Sequence, residues 1–211
     1  MSDNRKIAKN SIILYGRLLI TSIVGLFSSR IILQSLGASD FGLYNVVGGI
    51  VVMINLLNTA MISTSFRFIA FEIGKNNVAG VNRVFNVSLV IHFCLALLIV
   101  LLAETFGTYY IYHYLNVEAG RVSDAVFVFR FSVLATIFSI VSIPFQGLIT
   151  AKEEFFARSV IEVVQVVLRL AAASMLILHG GNRLRLYSVL TTLAIAVVSV
   201  CLLYTSPSHE T

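Results

Sequence analysis

Residues 156–178 read FARSVIEVVQVVLRLAAASMLIL. A helix of about 20 mostly apolar residues crosses the roughly 30 Å hydrocarbon core of a bilayer, and this run is long enough. Within it Arg158, Glu162, Gln165 and Arg169 follow one another in steps of 4, 3 and 4. That spacing puts four long polar side chains on one helix face. Lipid contact accounts for the apolar residues but not for this stripe, which needs water or polar partners. The segment therefore predicts both a membrane span and a polar cavity beside it.

Five further stretches have the same character: 11–36, 41–68, 84–104, 125–150 and 186–203. Lipid offers no partners to free backbone groups, so spans are helices or closed barrels. Barrel strands would alternate over about ten residues, and these runs are too long and too uniformly apolar. The expected fold is all-α, a polytopic membrane protein whose six transmembrane helices form one lobe over 11–204. Residues 1–10 form a cytoplasmic N-terminus, and 205–211 form a short tail that we read as truncation-derived.

Composition agrees. The 211 residues are 58% hydrophobic and 12% charged, against about 45–50% and 25% in soluble domains. Mean hydropathy is +0.93. This excludes a soluble enzyme, a nucleic-acid binder and a disordered chain. The net charge of +5 comes without any basic run longer than Arg5-Lys6. Cys94 and Cys201 lie singly in apolar runs and are expected to be buried, reduced and inert. His92, His113, His179 and His209 are scattered, so neither a metal site nor a cofactor is expected. The apolar stretch behind MSDNRKIAKN is too long for a signal peptide and reads as a retained span.

With the N-terminus inside, the inner loops hold Arg5, Lys6, Lys9, Lys75, Arg83, Lys152 and Arg158, and the outer loops hold Arg121, Arg183 and Arg185. The bias favours that orientation, with the Arg183/Arg185 pair against it. The Tyr-rich segment 105–120 suits the headgroup zone. Arg17, Arg30, Arg67, Arg130 and Arg169 fall within spans. For Arg17, snorkelling to the headgroups is the simpler reading. For Arg30, Arg67 and Arg130, snorkelling and function stand side by side. Arg169 lies about 20 Å along its helix and favours a polar cavity.

Other spans carry polar stripes too. Asn45, Gly48, Asn55, Thr59, Ser63 and Arg67 share one broad face, and Ser132, Thr136, Ser139, Ser142, Gln146 and Thr150 share another, with Pro144 set to kink the helix. The Ser/Thr/Gly stripes of the first and fourth spans are ordinary helix-packing surfaces. Glu162 balances the arginines or serves as a proton or cation site. His92 is a hydrogen-bonded core group or a proton carrier. The excess of buried cations points to a phosphate or pyrophosphate ligand, which arginine grips bidentately.

The stretch Ser29-Arg30-Ile31-Ile32-Leu33, then Leu36-Gly37-Ala38-Ser39-Asp40-Phe41-Gly42-Leu43-Tyr44-Asn45 and Val46-Val47-Gly48-Gly49, resembles the first hairpin of bacterial polysaccharide flippases. These are the O-antigen and capsule transporters of the multidrug/oligosaccharidyl-lipid/polysaccharide exporter superfamily. Ser65-Phe66-Arg67-Phe68 through Glu72-Ile73-Gly74-Lys75 follows a second pattern of that family with one inserted residue. Pro144, Leu148-Ile149, Ala151 and Glu153 follow a third. The resemblance covers residues 5 to 204.

The resemblance implies movement of undecaprenyl-pyrophosphate-linked oligosaccharide across the bacterial inner membrane for surface polysaccharide biosynthesis, without covalent chemistry, by rocking of two six-helix lobes. It also implies a pyrophosphate role for Arg30, by analogy with the first-helix arginine of the related lipid II flippase. The expected substrate-binding residues are Arg30, Asn45, Asn55, Arg67, Arg130, Glu162, Gln165 and Arg169, with Asn45, Asn55 and Gln165 meeting sugar hydroxyls. Expected partners are the bilayer, the lipid-linked oligosaccharide, and a C-terminal lobe or a second copy; nucleic acid is not one. Three alternatives remain open: a cation-coupled multidrug antiporter using Glu162, a membrane-embedded transferase, and a helix-packing subunit.

Overall fold

Long apolar runs punctuated by glycine, asparagine and proline fold as long helices broken at those residues. A computed structural model describes residues 2–205, with the side chains of 10–49, 60–118 and 120–205. The elements are α1 (Ser2–Gly74), α2 (Val78–Leu102), a π-helical turn (Ala103–Gly107), α3 (Thr108–His113), a 3-10 turn (Ala119–Arg121), α4 (Val122–Val141), α5 (Ile143–Ala151), α6 (Phe155–Leu178) and α7 (Arg183–Thr205). No strand occurs among the described residues.

The α1 helix is two arms joined at Gly37, whose backbone is non-helical at φ 77°, ψ 167°. That region is essentially open to glycine alone, so the predicted separation of the first two stretches occurs at the residue that permits it. The chain turns again at residues 75–77, where Asn77 accepts the Gly80 N–H through Oδ1 at 3.0 Å and Asn76 takes a left-handed conformation at φ 54°. Between α4 and α5 the helix breaks at Ser142, ahead of Pro144. The Ser142 hydroxyl donates to Phe138 O at 2.6 Å, a bond within its own turn of helix at the break.

The helix that begins at Val78 runs through the π turn to His113. The Tyr-rich segment placed at the headgroup zone is thus helical as far as His113. It stacks along itself, Tyr109 on His113 at 4.2 Å and Tyr110 on Tyr114 at 5.9 Å between ring centres.

Contacts between turns define two ends. At one end Arg183 donates to Ser35 O at 3.0 Å, Arg121 pairs with Asp40 and bonds Ser39, and Arg185 pairs with Asp124 at 2.6 Å. At the other end Glu72 accepts from Asn77 at 2.7 Å and lies 3.9 Å from Lys75. The chain passes back and forth between these ends. The first arm of α1 lies on α6, the second arm lies on α5 and α2, and α4 lies on α7.

Five helical segments are long and apolar enough to span a bilayer: Asn10–Gly49, Val78–His113, Val122–Ala151, Phe155–Leu178 and Arg183–Thr205. The expected stretch 41–68 runs through residues 50–59, whose side chains lie outside the described set. The molecule is apolar on its outside: Leu26, Leu101 and Leu178 are 74%, 65% and 89% exposed. An oily exterior over short polar turns is the surface of a protein solvated by lipid.

The main core gathers Ile32, Leu36, Val47, Val128, Phe129, Leu176 and Leu184 near the Gly37 end. Small residues bring helices close elsewhere. A Cβ on Gly147 would lie 3.1 Å from Ser65 Cβ, so α5 and the second arm of α1 touch almost backbone to backbone. Most hydroxyls of the fourth-span stripe bond within their own helix, as in Ser132 to Val128 O at 2.8 Å and Thr136 to Ser132 O at 2.9 Å. Ser132 and Thr136 of the stripe thus belong to packing, while Ser139, Ser142 and Gln146 line a polar cavity. The expectation that both cysteines are buried fails for Cys94, which is free and exposed, while Cys201 is free and half-buried. Cys94 sits on the outward face of α2, where an apolar environment is lipid rather than core.

Candidate functional site

The stripe on α6 produces a polar cavity. Arg158, Glu162 and Gln165 face α5 and α7 across a space of about 80 Å³, which Ser139, Ser142, Gln146 and Ser199 also line. Both carboxylate oxygens of Glu162 are engaged. Oε2 lies 2.8 Å from Arg17 Nη1, and Oε1 accepts from Arg158 Nε at 3.1 Å. The Arg158 Nη1 group donates to Thr150 Oγ1 at 2.9 Å, whose own proton goes to Gln146 O at 2.7 Å. Two guanidiniums share one carboxylate, so the trio carries a net positive charge beside a polar space.

Arg17 is the member that sequence reasoning missed. Its position near a span end suggests snorkelling; instead it reaches across to α6. The pairing of the first arm with α6 is a tertiary fact with no local signal.

Arg169 shares the helix face of Arg158 but lies eleven residues on, about 16 Å along the axis. It does not line the α5–α7 cavity and is exposed. The rings of Tyr44 and Tyr187 meet edge to face at 4.9 Å. This pair, formed by the second arm of α1 and α7, packs in the main core. Tyr44 belongs to the hairpin motif, but nothing in the sequence couples it to Tyr187.

The other expected binding residues are not brought to the α5–α7 cavity either. Arg30 and Arg67 are exposed and have no ion-pair partner among the described residues. Asn45 is exposed and its amide donates to its own helix, to Phe41 O at 2.8 Å. Arg130 pairs with Glu104 at 3.1 Å on an exposed flank. The Asn55 side chain lies outside the described residues.

His92 is buried on α2. Its Nδ1 lies 2.6 Å from Ser88 O and so carries the proton, while Ser88 Oγ shares a proton with Ser65 Oγ at 2.9 Å. This is the hydrogen-bonded core histidine of the simpler reading. Among the described residues no group of three His, Cys, Asp or Glu side chains could hold a metal ion. The chain matches no protein-family model, no curated protein and no solved structure.

Proposed function

We propose that this chain is one lobe of a flippase that moves undecaprenyl-pyrophosphate-linked oligosaccharide across the bacterial inner membrane for surface polysaccharide biosynthesis. Six spans with a cytoplasmic N-terminus complete the reading. The lobe is not an enzyme; its side chains bind, and the lobe moves. The observation that carries this reading is Arg169. It sits about 14 Å from the end of α6 at Leu178, exposed and without a carboxylate partner among the described residues. A guanidinium at such depth costs at least about 2.5–3.5 kcal/mol against lipid. An aqueous or protein-covered face removes that cost, so the flank with Arg169 faces a second lobe or a second copy across a wet cleft. A diphosphate head suits that face because guanidinium N–H groups donate paired hydrogen bonds to anionic oxygens.

The antiporter alternative needs a carboxylate free to trade one cation for another. Both oxygens of Glu162 are already held by arginines, which favours charge balance over cation exchange. The test is complementation of a strain lacking its own polysaccharide flippase. Arg169→Ala should remove surface polysaccharide, and Glu162→Gln should reduce it. Normal polysaccharide from Arg169→Ala would defeat the proposed flippase mechanism. Abolished transport of organic cations by Glu162→Gln, with polysaccharide untouched, would establish the antiporter.

A further inference from the structure

A groove of about 420 Å³ opens between the second arm of α1 and α2. Its walls are apolar and exposed: Phe68 is 60%, Val87 52% and Ile91 50% exposed. Arg83 stands at its mouth, near the Gly74 end of the bundle. No acidic side chain lines the groove to answer it, and Glu72, one carboxylate of that end, is engaged by Asn77 and Lys75. We propose that the groove holds one acyl chain of an anionic phospholipid whose phosphate rests on Arg83.

Arg83 and Ile91 are eight residues apart on one helix, about 12 Å along the axis. A charge at one end of an apolar trough of that length matches a lipid with its head at the interface and its tail in the core. The floor fixes the direction. The hydroxyls of Ser65 and Ser88 satisfy each other, and His92 Nδ1–H donates to Ser88 O. In the neutral ring Nε2 is then an acceptor, buried at the deep end and without a partner. The ester and phosphate oxygens of a lipid are acceptors as well, so the head is repelled from His92 and drawn to Arg83. A partner helix in the same groove would have to supply a carboxylate for Arg83. The inference rests on the bundle lying in a bilayer and not on the flippase reading.

Native mass spectrometry of the full chain, released from bilayers of mixed phosphatidylglycerol and phosphatidylcholine, tests it. The unaltered chain should retain one phosphatidylglycerol. Arg83→Gln should lower that retained fraction about fivefold, the effect of one interfacial cation. Arg83→Lys should keep it, and Val87→Trp, which fills the trough, should expel the lipid with Arg83 intact. Both altered positions are exposed, and an unchanged melting temperature confirms that the variants fold. Equal retention of the two lipids, or retention unaffected by both Arg83→Gln and Val87→Trp, overturns the proposal. So does efficient disulfide cross-linking of two copies through Val87→Cys, which would place a second chain in the groove. Normal polysaccharide from Arg169→Ala, with lipid retention as expected, would count against the flippase reading alone.

Discussion

The guanidinium of Arg17 stands 2.8 Å from the carboxylate of Glu162, pinning the first arm of α1 to α6. Because Arg158 holds the other oxygen at 3.1 Å, the three charges do not contribute equally. Glu162→Gln leaves two cations facing each other beside an 80 Å³ space. Arg17→Gln leaves a satisfied pair. The side chains are 21–35% exposed, so the cost of Glu162→Gln stays below that of a fully buried ion pair, at about 1–3 kcal/mol. Arg17→Gln should cost less than about 1 kcal/mol. Thermal unfolding in detergent ranks the two. A larger loss from Arg17→Gln would mean that the carboxylate is not the hub.

The Gly37 backbone makes the second prediction. A Cβ at Gly37 would touch nothing within 4 Å, so any effect of Gly37→Ala comes from its positive φ. The expected cost is about 1–3 kcal/mol, with the two arms splayed. Gly25, also free of neighbours within 4 Å but within a helical arm, is the control. Gly25→Ala should cost nothing. Equal melting temperatures for the two variants would show that the hairpin does not need glycine at position 37.

The same two arms separate what is legible in sequence from what is not. The breaks at Gly37, Asn76-Asn77 and Pro144 are legible because each residue has a backbone property few others can mimic. The α6 stripe is legible to three quarters: residues 158, 162 and 165 meet one cavity, as their spacing predicts. Arg169 keeps the spacing yet lies beyond the cavity, because periodicity reports a face and not a height along the bundle. The role of Arg17 is hidden since its partner lies on a distant helix. The exposure of Cys94 is hidden because an apolar run says that a residue avoids water, not whether lipid or protein replaces it.

Close approach at Gly147 gives a third prediction. Its Cβ position lies 3.1 Å from Ser65 Cβ and 3.3 Å from the Phe66 nitrogen. Gly147→Leu must push α5 away from the second arm of α1, at about 1–3 kcal/mol. Separating them also strains the Ser65–Ser88 bond. Ser65→Gly clears the nearest atom, so it should offset part of the loss from Gly147→Ala. Additive losses in the double variant would show that the two positions do not touch.

Hydroxyls on α4 and α7 look alike in sequence but do different things. Ser132 and Thr136 bond only within α4. Ser199 crosses from α7 to the Phe138 carbonyl at 3.2 Å, and Thr192 shares its proton between the Phe131 carbonyl across the interface and Ser188 O of its own helix, both at 2.9 Å. Interhelical bonds of this kind contribute about 0.6 kcal/mol each and at most about 1.7, whereas a bond within one helix persists when the helices separate and contributes nothing to their association. Thr192→Val with Ser199→Ala should therefore lower stability by about 1 kcal/mol, and Ser132→Ala should leave it within about 0.5 kcal/mol. Unfolding by titration with a denaturing detergent separates the two classes. An equal loss from Ser132→Ala would mean that its hydroxyl meets a partner beyond its own helix, and its end of the fourth-span stripe would then be more than a packing surface.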